Sequence, residues 1–250
     1  MGAGNSMLGG FGRDAAGSVA AAEIRRFDAL ASEWWNPDGP MRPLHRMNPA
    51  RIAWIADRIR ARFPAGGVRL LDVGCGAGLA SEALARRGFD VLGLDAADRA
   101  IAVARAHAAG QNLPLAYRTG APEDLLARGV EPFAVVTALE VIEHVADPPG
   151  FVRTLAALVQ PGGLLFVSTL NRTARSFLTA KIGAEYLLRL LPVGTHDWRQ
   201  FVPPATLQAW LGEAGCRVVD IAGLLPDPLR GGWRTGRDLS VNYIAEAERG

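Results

Sequence analysis

The chain has 250 residues, and 49% of them are apolar, which is enough to form the core of one α/β domain. Its formal net charge of +2 gives no electrostatic basis for binding nucleic acid. Its two cysteines, Cys75 and Cys216, are too few for a disulfide framework or a zinc cluster, and they fit a reducing cytoplasm. No run of about 18 uncharged apolar residues occurs, so we expect no membrane-spanning helix.

The N-terminal part is predicted to be a tail followed by a helical extension. Residues 1–22 carry little apolar bulk and no basic start before an apolar run, which favours a mobile tail over a secretory signal. A single domain is expected over residues 23–250. Helical spacing covers Glu23–Trp35, a proline-rich loop is predicted over residues 36–49, and a second helix is predicted over Ala50–Phe63.

Strands and helices alternate from residue 68 onwards. Apolar runs predict seven strands, at Val68–Val73, Asp90–Leu94, Leu115–Arg118, Phe133–Leu139, Gly163–Thr169, Cys216–Gly223 and Leu239–Ala247. Helical spacing predicts helices at Leu79–Arg87, Asp98–Ala109, Val145–Val159 and Pro204–Ala214. This alternation indicates a mostly parallel sheet with helices on both faces. Only a loop separates the last two strands, so the last strand is expected to run antiparallel.

An insertion at about residues 172–200 interrupts the alternation after the fifth strand. On a helix, Ser176–Leu191 has an apolar stripe that includes Leu187 and Leu190, and a polar stripe that includes Lys181. This pattern is compatible with packing on the domain, with a lid over an active site, and with contact to a membrane surface.

The stretch LLDVGCGAGLA predicts a nucleotide site, because an apolar strand turns through alternate glycines into a helix. Gly74, Gly76 and Gly78 allow the backbone to approach a ligand closely. Asp72, just before the first glycine, would repel a pyrophosphate and attract a cation. Asp95 ends the next strand, where a carboxylate accepts hydrogen bonds from a ribose diol.

The spacing of this loop argues against the common phosphate-binding motifs. It is not G-x-G-x-x-G, because Leu79 stands at the last position, and no Gly-Lys-Ser/Thr follows as in a P-loop. A nucleoside with a ribose and a positive, phosphate-free tail fits better, and S-adenosylmethionine meets that description. A nicotinamide-dependent oxidoreductase and a non-catalytic regulator that binds S-adenosylmethionine remain as alternatives.

Four motifs resemble those of the class I S-adenosylmethionine-dependent methyltransferases. In chain order they are LDVGCGAG, GLDAA, EVIEHVADP and QPGGLLFVSTLNR. More specific stretches are FDALASEWWNPDGPMRPLHRMNPARIAWI, GAEYLLRLLPVGTHDWRQF and the terminal SVNYI. They resemble the UbiG family, the O-methyltransferases of ubiquinone biosynthesis. The resemblance covers nearly everything except the tail, and it implies a Rossmann-like methyltransferase fold.

The resemblance also implies the chemistry and the cofactor residues. Members of the family methylate phenolic oxygens of polyprenylated intermediates, a 2-polyprenyl-6-hydroxyphenol and 3-demethylubiquinol. The implied cofactor residues are Arg51, Gly74, Asp95 and Leu139, with the Arg51 guanidinium against the methionyl carboxylate. A polyprenyl substrate resides in the bilayer, which implies a cytoplasmic enzyme at the periphery of the inner membrane, in contact with anionic lipid and with other enzymes of the pathway. Another small phenol or an amine as methyl acceptor is the alternative.

Methyl transfer to a phenol needs an aligned sulfonium and a group that favours phenolate near pH 7. Glu140, Glu143 and His144 stand at i, i+3 and i+4, which on a helical turn would place all three on one side. They are predicted either to bind a divalent metal such as Mg²⁺ or Zn²⁺ or to act without metal, with His144 as the base. His196, beside Asp197, is a further candidate for the base.

Overall fold

The structure is a computed structural model, and it describes residues 30–176, 200–227, 229 and 231–250. The predicted tail, most of the first predicted helix and most of the insertion, including His196, lie outside the described residues. Within the described part, the N-terminal extension begins with a single 3-10 turn at Ala31–Glu33.

One mixed sheet of eight strands organises the described residues. The strands are β1 Arg69–Val73, β2 Asp90–Asp95, β3 Leu115–Thr119, β4 Phe133–Leu139, β5 Val159–Leu170, β6 Cys216–Asp227, β7 Gly232–Gly236 and β8 Asn242–Arg249. Their spatial order is β3-β2-β1-β4-β5-β8-β6-β7. The first five strands are mutually parallel, and β8 pairs antiparallel with both β5 and β6. The predicted α/β sheet with an antiparallel last strand is therefore confirmed.

One helix precedes β1, and others connect the strands from β1 to β6. They are α1 Arg42–Arg62, α2 Leu79–Ala85, α3 Asp98–Ala108, α4 Pro122–Ala127, α5 Pro148–Leu158 and α6 Pro204–Glu213. Leu70 and Leu71 on β1 point to opposite faces and are both fully buried, one in each of the two large apolar clusters. Burial of both faces explains why the parallel strands are continuous apolar runs in the sequence.

The order of the strands reverses at β1, which lies between β2 and β4. Leu71 pairs with Leu92 on one side and with Val136 on the other. Ligands of open α/β sheets bind beyond the carboxyl ends of the strands at such a reversal. The carboxyl ends of β1, β2 and β4 therefore meet at one edge of the sheet, where a ligand site is expected.

The predicted loop over residues 36–49 was wrong in its second half, because α1 begins at Arg42 and continues through Pro49. Pro43 lies in the first turn, where a missing N–H costs nothing, since that group has no intrahelical partner. Pro49 is exposed, while Met47 and Arg51 on either side of it are buried. Burial of that face outweighs the loss of one helical hydrogen bond.

Two other predicted elements differ from the structure. The sheet has eight strands rather than seven, because β6 runs on to Asp227 and folds back into the hairpin strand β7. The glycines and prolines between the two last predicted strands concealed this strand. The predicted helix from Val145 begins only at Pro148, where the Asp147 side chain accepts a hydrogen bond from the Gly150 N–H.

Candidate active site

A cavity of about 280 Å³ opens at the carboxyl ends of β1, β2 and β4. It has a backbone wall, a carboxylate wall and an apolar wall. Its lining comprises Leu30, Trp34, Pro40, Met41, Pro43, Leu44, Val73, Gly74, Gly76, Leu94, Asp95, Ala96, Gly120, Ala121, Pro122, Leu139, Glu140, Val141, Glu143, His144, Phe151 and Leu170. The predicted cofactor residues Gly74, Gly76, Asp95 and Leu139 are therefore brought together.

The backbone wall is the loop after β1. Gly74 and Gly76 have φ of +70° and +53°, in the left-handed region. A Cβ at Gly76 would lie 2.3 Å from Cζ2 of Trp34, and one at Gly74 would lie 2.4 Å from Cγ2 of Val141. Glycine is therefore required here for both backbone conformation and space.

Asp95 links this loop to β2. Its Oδ2 accepts a hydrogen bond from the Gly76 N–H at 2.7 Å, and its Oδ1 accepts one from the Ala97 N–H at 2.8 Å. The residue also lines the cavity. The geometry fits the predicted acceptor for a ribose diol.

Asp72 lies beneath the loop and does not line the cavity. It is 1% exposed, and its two oxygens accept hydrogen bonds from Ser81 Oγ at 2.6 Å and Thr137 Oγ1 at 2.7 Å. Burial raises the pKa of Asp72, while these hydrogen bonds and the Arg51 charge lower it. Its carboxyl group thus joins β1, β4 and α2, and it does not face the cavity as the sequence had suggested. Gly78 is also outside the lining, and it is packed against Tyr117.

The apolar wall is a strap, residues 30–41, that crosses the glycine loop. Trp34 lies on Gly76, and the Trp35 Nε1–H donates to the Ala77 carbonyl at 3.0 Å. The Trp35 ring stacks on His107, with centroids 3.5 Å apart. The strap therefore covers the cavity with apolar surface. The sequence did not predict this strap, and its one motif in the family-specific stretch is the pair Trp34 and Trp35.

The carboxylate wall is built by Glu140 and Glu143, which follow β4. Glu140 has φ of +61°, an uncommon conformation for a residue with a side chain. Its Oε1 accepts a hydrogen bond from Ser168 Oγ at 2.7 Å, and Glu143 Oε2 accepts one from Thr169 Oγ1 at 2.9 Å. Burial raises the pKa of both carboxyl groups, that of Glu143 to about 8 with a further contribution from the Glu140 charge.

The predicted single helical turn for Glu140, Glu143 and His144 was wrong. Glu140 lies before a 3-10 turn at Ile142–His144, because β4 ends in the left-handed conformation there. All three residues still line the cavity. Within the described residues, no group of three or more His, Cys, Asp or Glu has the arrangement of a metal site. Serine and threonine hydroxyls donate to one oxygen of each carboxylate, and the metal site at Glu140, Glu143 and His144 stays a prediction.

Arg51 and Asn242 lie behind the carboxylate wall. The Arg51 side chain is 3% exposed, and its Nε donates to Asn48 Oδ1 at 2.9 Å. Burial lowers the pKa of Arg51, and the charges of Glu140 and Asp72 raise it. Asn242 Nδ2 donates to Glu140 Oε2 at 3.4 Å. Sequence reasoning missed Ser168, Thr169 and Asn242 as parts of the site, since the strands that carry them show no motif spacing towards Glu140.

Comparisons with known proteins agree with this geometry. The family model described as a methyltransferase domain matches residues 44–221. The ubiquinone biosynthesis O-methyltransferase of Caulobacter vibrioides is 48% identical over 91% of this chain and 93% of its own length. The protein of that name from Methylobacterium nodulans is 49% identical over 93% and 96%.

Solved structures share the fold at low identity. Magnesium protoporphyrin IX methyltransferase from Synechocystis PCC 6803, with bound S-adenosylhomocysteine, is 20% identical with a TM-score of 0.67. The match covers 92% of this chain and 99% of that protein. Its resemblance supports the architecture alone, whereas the curated relatives settle the family. The chain belongs to the methyltransferase-domain family and, within it, to the ubiquinone biosynthesis O-methyltransferases.

Proposed function

We propose that this chain transfers the methyl group of S-adenosylmethionine to phenolic oxygens of ubiquinone precursors, namely a 2-polyprenyl-6-hydroxyphenol and 3-demethylubiquinol. The observation that carries this proposal is the 48% identity to ubiquinone biosynthesis O-methyltransferases over nearly the whole length of both chains. The cavity described above supplies the chemistry that such a reaction needs.

The residues around the cavity fit S-adenosylmethionine. The backbone of Gly74 and Gly76 lines the cavity, where it can approach the methionyl part closely, and the Asp95 carboxylate lines the same cavity as the acceptor for the ribose hydroxyls. Gly120 and Ala121 line the cavity after β3, and they are proposed to contact the adenine. Arg51 keeps Nη1 buried and without a hydrogen-bond partner among the described residues, as a carboxylate ligand requires.

The bound cofactor supplies a methyl group on a sulfonium, and the residues of the chain must align the acceptor oxygen and remove its proton. The strap places Trp34 and Met41 over the cavity, which excludes water from the sulfonium. Alignment of this kind lowers a barrier by roughly 7–11 kcal/mol. An ordinary phenol with a pKa of about 10 needs a base at neutral pH.

The base is assigned to the carboxylate wall or to His144, which lies on the cavity surface. His144 Nδ1 or Nε2 accepts a proton from the phenol in this proposal, and the half-buried Glu140 carboxyl group lines the same cavity. His196 is the second candidate, and it lies outside the described residues. The metal alternative rests on the sequence spacing of Glu140, Glu143 and His144 alone.

The membrane part of the proposal rests on the substrate, which carries an apolar polyprenyl tail. Among the described residues, no helix is long and apolar enough to cross a membrane. The apolar stripe of Ser176–Leu191 lies in residues that the structure mostly does not describe, and it is proposed to contact anionic lipid at the inner membrane. Contact with other enzymes of the pathway is proposed for the same reason, because the substrate with its apolar polyprenyl tail stays at the membrane.

The test is a methyl-transfer assay with short-chain forms of both phenols, with and without excess chelator. The proposal expects one equivalent of S-adenosylhomocysteine for each methylated phenol. Full activity in chelator would leave His144 or His196 as the base, and loss of activity that Mg²⁺ or Zn²⁺ restores would assign a metal. Transfer to neither phenol, with S-adenosylhomocysteine bound, would reject the proposed acceptors.

Flotation with liposomes tests the membrane part separately. Binding that requires anionic lipid and weakens with salt is expected, and the double variant Leu187→Ser with Leu190→Ser should bind less while it still binds S-adenosylhomocysteine. Absence of wild-type binding to such liposomes would reject the membrane role and leave the methyl-transfer proposal intact.

A further inference from the structure

His107, on α3, lies outside the cavity and takes no part in the proposed methyl transfer. Its Nδ1 lies 2.6 Å from Oε1 of Glu82, a fully buried carboxylate on α2. Because a carboxylate only accepts hydrogen bonds, Nδ1 carries the proton and donates it. This hydrogen bond fixes the position of the imidazole ring, while the His107 side chain itself stays 34% exposed.

The indole ring of Trp35 lies on one face of that imidazole. The two rings are nearly parallel, with an angle of 6° between their planes and 3.5 Å between their centroids. Trp35 belongs to the strap, and its neighbour Trp34 lines the cavity. The stack on His107 therefore lies one residue away from the cavity lining.

The helix α3 provides a continuous seat for the strap. Ala31, at the start of the strap, packs on Ala100, and Trp35 lies on His107 seven residues further along the helix. Between them, Val103 packs against both of the apolar clusters to which the strap contributes. Positions 100, 103 and 107 lie on one face of a helix. The stack is thus the polar end of an otherwise apolar seat.

Two roles of His107 make opposite demands on its side chain. To satisfy the buried Glu82 carboxylate, residue 107 needs a donor but no ring. To seat the strap, it needs a flat ring but no donor. Arg86 Nη2 donates to Glu82 Oε2 at 2.7 Å, so the carboxylate keeps one partner when Nδ1 is removed. Substitutions at residue 107 can therefore separate the two roles.

We propose that His107 is a positioning residue for the cofactor, because its ring seats Trp35 and so holds the strap over the cavity. This rests on the proposed function, in which the cavity holds S-adenosylmethionine. A segment that covers a bound ligand slows its release, and product release limits the turnover of many enzymes. Loss of the ring therefore speeds the departure of S-adenosylhomocysteine without any change in the residues that line the cavity.

The test compares His107→Gln with His107→Phe in the full chain. Glutamine keeps a donor towards Glu82 and loses the ring, whereas phenylalanine keeps the ring and loses the donor. Dilution of the complex with labelled S-adenosylhomocysteine into excess unlabelled ligand measures the release rate. We expect release about three- to tenfold faster from His107→Gln, as for the loss of one aromatic stack, and within about twofold of the wild type from His107→Phe.

The structural role alone predicts the reverse order. An unchanged release rate in His107→Gln, or faster release from His107→Phe than from His107→Gln, would overturn the proposal. Arg86→Met is the matched control, since it removes the other donor to Glu82 and leaves the stack in place. Its release rate should equal that of the wild type, and release as fast as from His107→Gln would assign the effect to Glu82 instead.

A double-mutant cycle shows whether His107 acts through Trp35. Trp35→Leu removes the other ring of the stack and should speed release at least as much as His107→Gln. Addition of His107→Gln to Trp35→Leu should then change the rate by less than about twofold. Effects that multiply in the double variant would overturn the proposal, and this comparison holds even if His107→Phe does not fold.

The result is separable from the proposed function. S-adenosylhomocysteine binding and phenol methylation by the wild-type chain test the enzyme itself. If both hold and His107→Gln releases the ligand at the wild-type rate, only the role of His107 is rejected. If the wild type binds S-adenosylhomocysteine but methylates neither phenol, the proposed acceptors fail and the release rates still decide the role of His107.

Discussion

The backbone wall and the carboxylate wall of the cavity are built in opposite ways. The backbone wall is one continuous segment, in which Gly74 and Gly76 adopt left-handed conformations and Asp95 ties down one N–H. The carboxylate wall consists of Glu140 and Glu143, and its shape depends on hydrogen bonds from other strands, such as those that Ser168 on β5 and Asn242 on β8 donate to Glu140.

This difference predicts different responses to substitution. A change in the backbone wall meets rigid neighbours and has no alternative conformation, so its cost is steric. A change in the carboxylate wall alters the balance of buried charge, so its cost depends on pH and on the charge of the ligand. The following variants separate the two behaviours.

Gly76→Ala should have the largest effect. Its Cβ would lie 2.3 Å from Trp34 at a φ of +53°, so both strain and overlap oppose it. We expect a loss of cofactor affinity of about 3 kcal/mol, roughly 100-fold, measured by calorimetry with S-adenosylhomocysteine.

Gly88→Ala is the control for that variant, because Gly88 has φ of +90° but nothing within 4 Å of a Cβ. It should lose about 1–2 kcal/mol of unfolding free energy and keep its cofactor affinity. Equal affinities in the two variants would show that neither the strain nor the overlap with Trp34 at Gly76 affects cofactor binding.

Asp95→Ala should weaken S-adenosylhomocysteine by about 1–3 kcal/mol, since it removes the predicted diol acceptor and frees the Gly76 N–H. The 2′-deoxyribose analogue of the ligand provides the comparison. It should bind more weakly than S-adenosylhomocysteine to the wild type, and the difference should shrink in Asp95→Ala. An unchanged difference would place the ribose elsewhere.

Glu143→Gln should change how stability depends on pH. The pKa of Glu143 in the folded chain is about 8, above the ordinary 4.5, so the folded state holds the proton more tightly than the unfolded chain. This contribution is complete below about pH 4.5 and is lost as the pH rises towards 8. Between pH 7 and pH 8 the wild type should lose about 1 kcal/mol relative to Glu143→Gln, measured by chemical denaturation. Parallel stability curves would mean that the carboxyl group is not buried in this way.

Trp35→Phe should have the smallest effect. It keeps an aromatic ring against His107 but removes the hydrogen bond from Nε1 to the Ala77 carbonyl. We expect a loss of about 0.5–1.5 kcal/mol in unfolding free energy and only a minor change in cofactor affinity. A large loss of affinity would show that the strap, and not the loop beneath it, sets the depth of the cavity.

The sequence predicted most of the backbone wall because its signals are local. Strand, acid, glycines and helix follow one another within about a dozen residues, and Asp95 ends the next strand. The sheet followed from the same alternation. The carboxylate wall was predicted only in part, because the partners of Glu140 are Ser168 and Asn242, which are distant in the chain. The positive φ of Glu140 also excludes it from the single helical turn that was predicted for Glu140, Glu143 and His144.

The helix through Pro49 and the hairpin strand β7 were missed for a related reason. Proline and glycine predict a break when only neighbouring residues are considered. In the folded chain Pro49 is exposed on a helix whose opposite face is buried, and β7 is stabilised by pairing with β6. Tertiary packing stabilises both the helix through Pro49 and the strand β7, and a local sequence pattern does not indicate such packing.

Methyl transfer to the phenolic oxygen is tested most directly by a single turnover with methyl-labelled S-adenosylmethionine and short-chain 3-demethylubiquinol. The label should appear in an aryl methyl ether, with one S-adenosylhomocysteine formed for each ether, as read by mass spectrometry and NMR. Label on a ring carbon, or cofactor that binds tightly but transfers no methyl group to the phenol, would contradict it.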